Sequence, residues 1–527
     1  MSIVSFQFMI FAVAVVVLYF IFPKKWQWIV ILGGNVYFYA CAGIKYLALL
    51  IGTSMVTFFC AIALEHMTNI NKKAIPEIGN GEIKTEVKKS ILSVKKLICT
   101  AAVVCVGGIW VIIKYLGFFT ENINALLTSL KVPYQIPLFY WLLPLGISFY
   151  TFHIIGYVVD VYRGKYAAEH NFFKLFTYVS FFPHIIQGPF TRFNETGQSV
   201  LEPHQFSYDR LSEGCARILW GLFKKLVIAD KLSISVNIIF GQYQDYSGVH
   251  ILMAMVLYCL QLYADFAGYM DIVCGLSHIL GIKMPENFRQ PYFAKSVEEF
   301  WRRWHITLGQ WFKDYVFFPL SMGKVGQKLG RAARKKWGAR AGKLVPGYFA
   351  LFFVWTATGL WHGANWTFLI WGYLNLIVIV TSMQLGDFYE RTKKKLHIHD
   401  TNKAWQLFRI VRTFGLVCFF RFFSSQESVA KAMATLGHVF TNLNLHKMWS
   451  LERLFPGLTY MQIILVMLSI LAALVVEILQ ENEVWDKVRG KCPFFVRALV
   501  YAVLISMLLL LAGGSTDLTG GFMYAVF

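Results

Sequence analysis

The chain has 527 residues, 57% of them hydrophobic and 17% aromatic but only 15% charged, which excludes a soluble domain and implies a polytopic membrane protein. Its formal net charge of +21 comes from cations grouped at 72–96, 324–343 and 391–395. That is the pattern of cytoplasmic loops facing anionic membrane lipid, and it leaves no call for a nucleic-acid partner.

Taken in order, apolar runs near 4–22, 27–42, 46–64, 97–116, 137–159, 172–190, 214–240, 249–281, 345–383, 405–424, 457–480 and 494–513 predict an all-α polytopic membrane protein. About 11–13 transmembrane helices are expected, because the 345–383 run fits either one tilted helix or two, with re-entrant or interfacial helices besides. The first run lacks a basic segment before it and a small-residue cleavage site after it, so it is expected to be a retained helix. With the N-terminus outside, Lys24, Lys25 and two basic loops, 66–96 and 323–343, fall on the cytoplasmic side. The first of these loops reads as a solvated connector. Nine scattered cysteines without a CxxC pair read as small core hydrophobes and indicate neither a disulfide framework nor a thiolate metal site.

Polar residues inside apolar runs are the informative ones. Asp160 and Arg163 are spaced to pair at a helix end. Between Phe181 and Pro189, two prolines and a glycine must break a helix just where His184 and Gln187 occur. Such a break either lines a cavity or is a packing kink. Asp265 and Asp271 sit in the 258–281 run and need partners, with Arg302 or Arg289 as candidates.

The segment from about 298 to 372 organises the rest. It holds Trp304-His305 in a stretch too charged to span, then a basic loop, then Trp361-His362 in apolar surroundings. The first stretch alone reads equally as a tryptophan–arginine membrane anchor. A histidine at membrane depth is by default a functional-site hypothesis, since an unpaired polar side chain there costs several kcal/mol. At helical spacing Thr358, His362, Asn365 and Trp366 share a face, so that a neighbour can orient the imidazole. Gly359 and Gly363 form a small face for close helix approach. Two histidines without a nearby cysteine or carboxylate set do not make a zinc site, and no metal is expected. Taking a proton from a hydroxyl suits a neutral imidazole better. Arg302, Arg303 and Lys313 are the nearest groups for the phosphates of an anionic donor.

These residues also carry a resemblance. EFWRRWHITLGQWFKDYVFFPL followed by GLWHGANWTFLIWG is similar to the membrane-bound O-acyltransferase family, nearest its bacterial alginate-acetylating branch. PLGISFYTFHIIGYVVDVYRG, FFPHIIQGP, QLYADFAGYMDI and ENFRQPY follow that branch in the same order, over roughly residues 1–371. The resemblance implies one integral-membrane domain over 1–527, with a ring of tilted helices around a central tunnel. It implies His362 as the essential histidine and His305 as the second. From the reading of the residues, Asn365, Thr358, Trp361, Trp304, Asp265 and Gln187 are expected in support. No permanently bound cofactor is implied. Acetyl-CoA would be the cytosolic donor and an extracytoplasmic polysaccharide the acceptor, with an exported esterase-like partner of the serine–glycine–asparagine–histidine (SGNH) type and a bacterial plasma-membrane location. Two departures stand out: Asp265-Phe-Ala-Gly-Tyr-Met-Asp271 lacks the family's two serines, and the C-terminus reads Tyr524-Ala-Val-Phe527.

Two other functions compete. D-alanyl transfer from a carrier protein to teichoic acid would use the same core. A proton-coupled transporter would use the histidines as a relay, against which stand the missing internal repeat and the specific WHG segment.

Overall fold

The computed structural model describes residues 1–77, 81–139 and 143–512. Every one of the twelve apolar runs contains α-helix, and no strand ladder occurs among the described residues. Among the described residues, seven helices are long and apolar enough to cross a membrane: 44–72, 81–129, 248–280, 324–362, 366–384, 460–481 and 494–511. Phe6–Ile21 and Ile147–Tyr162 are apolar but shorter. The protein is therefore an all-α, multi-pass membrane protein, with fewer full-length spans among the described residues than the 11–13 expected. The reason is local. The 172–190 run breaks into Phe172–Val179 and Phe182–Ile185, the 208–241 helix changes to π winding at Phe223–Ala229, and Lys403–Ser424 carries three arginines.

Both stretches expected as basic loops are mostly helical. The end of Ile44–Glu77 and the start of Gly81–Ser129 cover most of the first. In the second, Lys324–His362 is two helical arms meeting at Gly338, whose φ of 87° ends one and starts the next. A Cβ on Gly330 would lie 3.0 Å from the Gly342 carbonyl, so the arms fold back on each other. Lysine, arginine and alanine are all good helix formers, and charge alone does not unwind them. The 345–383 run resolves into two helices, one ending at His362 and the next beginning at Trp366.

The described residues form two compact units, one of 1–215 with 273–285, the other of 216–272 with 286–527. In the first, Tyr19, Ile31, Phe181, Val200, Leu280 and Ile282 make a closed core. Asn35 repairs the break at 180–182: its Nδ2 donates to the Thr177 carbonyl (3.0 Å) and its Oδ1 accepts from the Phe182 amide (2.9 Å). His153 and His184 stack at 4.3 Å, and Thr191 hydrogen-bonds both rings. Gly146, at φ 67°, lies so close that a Cβ would fall 2.0 Å from the Ile185 oxygen. The broken segment is densely packed. Asp160 pairs with Lys165 (2.8 Å) and Arg192 (3.8 Å), and Arg163 caps the end of the same helix.

In the second unit the aspartates of the Gly248–Leu280 helix find lysines, not Arg302 or Arg289. Asp265, 1% exposed, meets Lys225 at 2.6 Å, and Asp271 takes Lys224 together with Arg217. Lys225 also reaches Asp230 at 2.8 Å. The π turn carries both lysines, and the paired glycines Gly221 and Gly268 bring the helices into contact: a Cβ on either would lie within 2.7 Å of the other's carbonyl oxygen. Since removing one partner of a buried ion pair strands the other charge, Lys225→Met is expected to cost about 3–5 kcal/mol. Glu286→Ala, which removes a largely exposed partner of Arg217, should cost less than about 1 kcal/mol. Thermal unfolding of the two variants in detergent makes the comparison.

Candidate active site

His305 and His362 are both brought into the second unit's interior, at 2% and 3% exposure. Each marks an interruption of helix. His305 stands between Val297–Arg303 and Ile306–Phe312 in the left-handed region, φ 47° and ψ 52°. A histidine held there is locally strained and persists only where its surroundings impose it. Asn287 imposes it. The Asn287 carbonyl accepts from the Ile306 amide (3.0 Å), and its Oδ1 accepts from the Thr307 amide (3.1 Å) and the Thr307 hydroxyl (2.9 Å). The same Oδ1 lies 3.1 Å from His305 Nδ1. An amide oxygen only accepts, so the imidazole proton is assigned to Nδ1, which makes Nε2 the basic nitrogen. His305 lies outside the seven spans; burial first and the Arg421 charge second hold its pKa below the ordinary histidine range.

His362 is the last residue of its helix, and the extended Gly363 that follows packs against Phe368 so closely that a Cβ would lie 2.3 Å from the ring. The expected common face of Thr358, His362, Asn365 and Trp366 therefore does not form. Helical spacing stops at 362, and Asn365 instead caps the next helix, accepting from the Thr367 amide (3.0 Å) and donating to the Glu427 carbonyl (2.9 Å). Thr358 donates back to Val354 within its own helix. The glycines do serve close approach, but between these two consecutive helices. A Cβ on Gly359 would lie 2.8 Å from the Phe368 oxygen, and one on Gly372 the same distance from the Trp355 oxygen.

Tryptophans join the two histidines. The Trp361 ring is 6.0 Å from His305 and 4.9 Å from His362, and Trp371 meets His362 edge-on at 4.9 Å. Trp301 packs on Trp371 at 5.5 Å and donates to Asn375 Oδ1 at 2.9 Å, while Trp304 is 1% exposed beside Phe300. Phe266 presents its edge to His305 at 4.8 Å. Asp265, the residue before it, belongs to the lysine pair described above.

The expected donor-binding cations divide. Arg302 is exposed and, among the described residues, paired with Glu298 in its own helix; Lys313 is exposed. Arg303 is taken up by a bidentate contact to Glu481 (2.6 and 3.0 Å) and a further one to Glu299 (2.7 Å), so it ties the Tyr460–Glu481 helix to the turn before His305. Gln187 is fully buried in the first unit. The motif at Tyr524–Phe527 lies outside the described residues.

Three residues were missed from sequence. Asn287 stands in ENFRQPY with nothing in its spacing to mark it, and Glu481 lies at the far end of an apolar run. Arg421 is the third: buried at 4% exposure, its guanidinium lies 4.5, 5.1 and 5.5 Å from the Trp371, Trp304 and Trp301 rings. An arginine deep in an apolar run was the available signal.

The chain is similar in sequence to proteins of known family. The family model described as "MBOAT, membrane-bound O-acyltransferase family" matches residues 167–333, which include His305 and stop short of His362. The chain is 34% identical over 358 residues to the "Probable alginate O-acetylase AlgI" of Azotobacter vinelandii, covering 67% of this chain and 63% of that protein. It thus spans somewhat less than two thirds of that relative's length. It is 32% identical over 369 residues to the protein of the same description from Pseudomonas putida, covering 70% and 68%. It is also 31% identical over 288 residues to the "Teichoic acid D-alanyltransferase" of Bacillus subtilis, covering 52% and 67%.

Asn287→Ala removes an acceptor that three buried donors share. Leaving such groups unpaired is expected to cost about 1–3 kcal/mol and to release the His305 tautomer. Thermal unfolding measures the first, and nitrogen NMR of labelled histidine the second.

Proposed function

Because this chain belongs to the membrane-bound O-acyltransferase family, we propose that it moves an acetyl group from acetyl-CoA to hydroxyls of an extracytoplasmic polysaccharide, of the exopolysaccharide or the cell-wall kind. The observation that carries this reading is the pair of buried imidazoles joined through Trp361, one with its tautomer set by Asn287. Acyl transfer to a hydroxyl needs a base at the oxygen, and a neutral imidazole suits that task. His362 takes the acceptor's proton. His305, with Nε2 basic, serves as the second acid–base group, and the tryptophans exclude the water that would otherwise compete for the acyl group.

On the donor side, Arg303 is engaged by carboxylates, so recognition of coenzyme A phosphates falls to Arg302, Lys313 and the eight exposed lysines and arginines of the 324–343 hairpin. The whole chain, 1–527, works as one catalytic domain in the plasma membrane of a bacterium. An exported partner of the SGNH esterase-like type would complete delivery to the polymer. Similarity to the B. subtilis teichoic acid D-alanyltransferase favours a second reading, in which the acyl group is D-alanine and the hairpin receives an acidic carrier protein.

Purified protein supplied with radiolabelled acetyl-CoA and a soluble oligosaccharide tests the first reading against the second. Transfer or hydrolysis of the acetyl label is expected, and His362→Ala should lower it by about 10²- to 10⁴-fold in a protein that still elutes as a folded species. His305→Ala should fall by a similar factor or slightly less. Label that moves only from a D-alanyl carrier would overturn the acetyl reading, and an unimpaired His362→Ala would overturn the assignment of the base.

A further inference from the structure

We propose that Arg421 binds the oxyanion that forms at the acyl carbonyl during transfer, making the tryptophan cluster around it an anion site. The proposal rests on the acyl-transfer reading and adds to it the group that stabilises the developing charge.

The half-buried Arg303 of the same unit indicates what a structural guanidinium does here: it is saturated by Glu481 and Glu299. Arg421 is more deeply buried and is treated differently. No ion pair to it exists among the described residues, and its Nη2 is buried there without a hydrogen-bond partner. What surrounds the cation is aromatic, with Trp371, Trp304 and Trp301 all within 5.5 Å. Ring faces hold a cation by their quadrupoles without neutralising it. A permanent positive charge thus stands in low-dielectric surroundings with donor capacity unspent, where its attraction for an anion is far stronger than in water.

Its position matches the chemistry. Trp371, the nearest ring to the guanidinium, is also the ring that packs edge-on against His362, and Trp304 immediately precedes His305. During transfer the acceptor O–H proton passes to the His362 imidazole as the oxygen bonds to the acyl carbon. The carbonyl π pair moves onto its oxygen, and the resulting anion is held by the Arg421 N–H groups. Collapse restores the C=O bond and expels the coenzyme A thiolate, which takes the proton back from the imidazolium. The neutral ground-state carbonyl gains less from the guanidinium than the oxyanion does, so the contact accelerates the step more than it tightens donor binding.

The full-length protein in detergent is assayed with acetyl-CoA as wild type, Arg421→Gln and Arg421→Met. Expected is a fall in kcat of about 10²- to 10³-fold with the donor KM changed less than about threefold, the mark of a group that acts in the transition state. A purely structural arginine would lower the melting temperature and move KM along with kcat, and that pattern overturns the proposal. Two coenzyme A analogues decide the matter on wild-type protein alone, should the variants fail to fold. One carries a tetrahedral methylphosphonate anion at the acyl position, the other a neutral methyl ketone. The anion is expected to bind at least about tenfold tighter; equal affinities overturn the oxyanion role. Variants that turn over as fast as wild type overturn that role alone, whereas a wild type inert towards acetyl-CoA overturns the acetyl-transfer reading with it.

Discussion

In hydrocarbon every charge and every backbone break must be satisfied from within the protein, because lipid supplies neither counter-ions nor hydrogen bonds. The architecture of the second unit follows from how that is done. Asp265 and Asp271 are reached by Lys225 and Lys224 only because the helix carrying the lysines widens to π winding and crosses its neighbour at Gly221 and Gly268. The Tyr460–Glu481 helix is attached by its last turn, where Glu477 accepts from Tyr263 and Glu481 clamps Arg303. These contacts surround the segment that presents His305 and leave its backbone little freedom.

That rigidity is what the candidate site spends. Both histidines sit where regular helix stops, one in a strained left-handed conformation and one before an extended glycine, and both are enclosed by tryptophan. Asn287 and Thr307 supply the hydrogen bonds that hold the strained turn, and the close passage of Gly359 and Gly372 holds the other. A side chain held in place by its surroundings needs no reorganisation before it acts, and in a dry site its partial charges act at full strength.

The contrast between Arg303 and Arg421 explains why a list of arginines read from a sequence misleads. Arg302 and Arg303 were natural candidates for phosphate because they adjoin His305 and sit in a charged stretch. Arg303 proves to be a fastener, neutralised by two glutamates, one of which lies 178 positions later in the chain. Arg421, in an apolar run with no motif around it, stands among the tryptophans.

Much was legible without coordinates. Composition and apolar run length determined an all-α membrane protein, since only helices of that length satisfy their own backbone in lipid, and all twelve runs contain helix. Tryptophan–histidine pairs in two segments marked His305 and His362, because an imidazole in apolar surroundings requires a reason. What only the tertiary structure decided was partnership. Lys225 for Asp265, Asn287 for His305, and Asn365 as a cap rather than a neighbour of His362 all depend on where helices end and cross. Periodicity runs straight through Gly363, and a sequence does not record that the backbone there turns extended. Charge density likewise predicted loops at 66–96 and 323–343, whereas lysine, arginine and alanine continue a helix readily wherever no proline or left-handed glycine stops it. Side-chain types constrain what must be paired; the choice of partner belongs to the packing of distant helices, because the energy of a buried contact depends on proximity in space and not on separation along the chain.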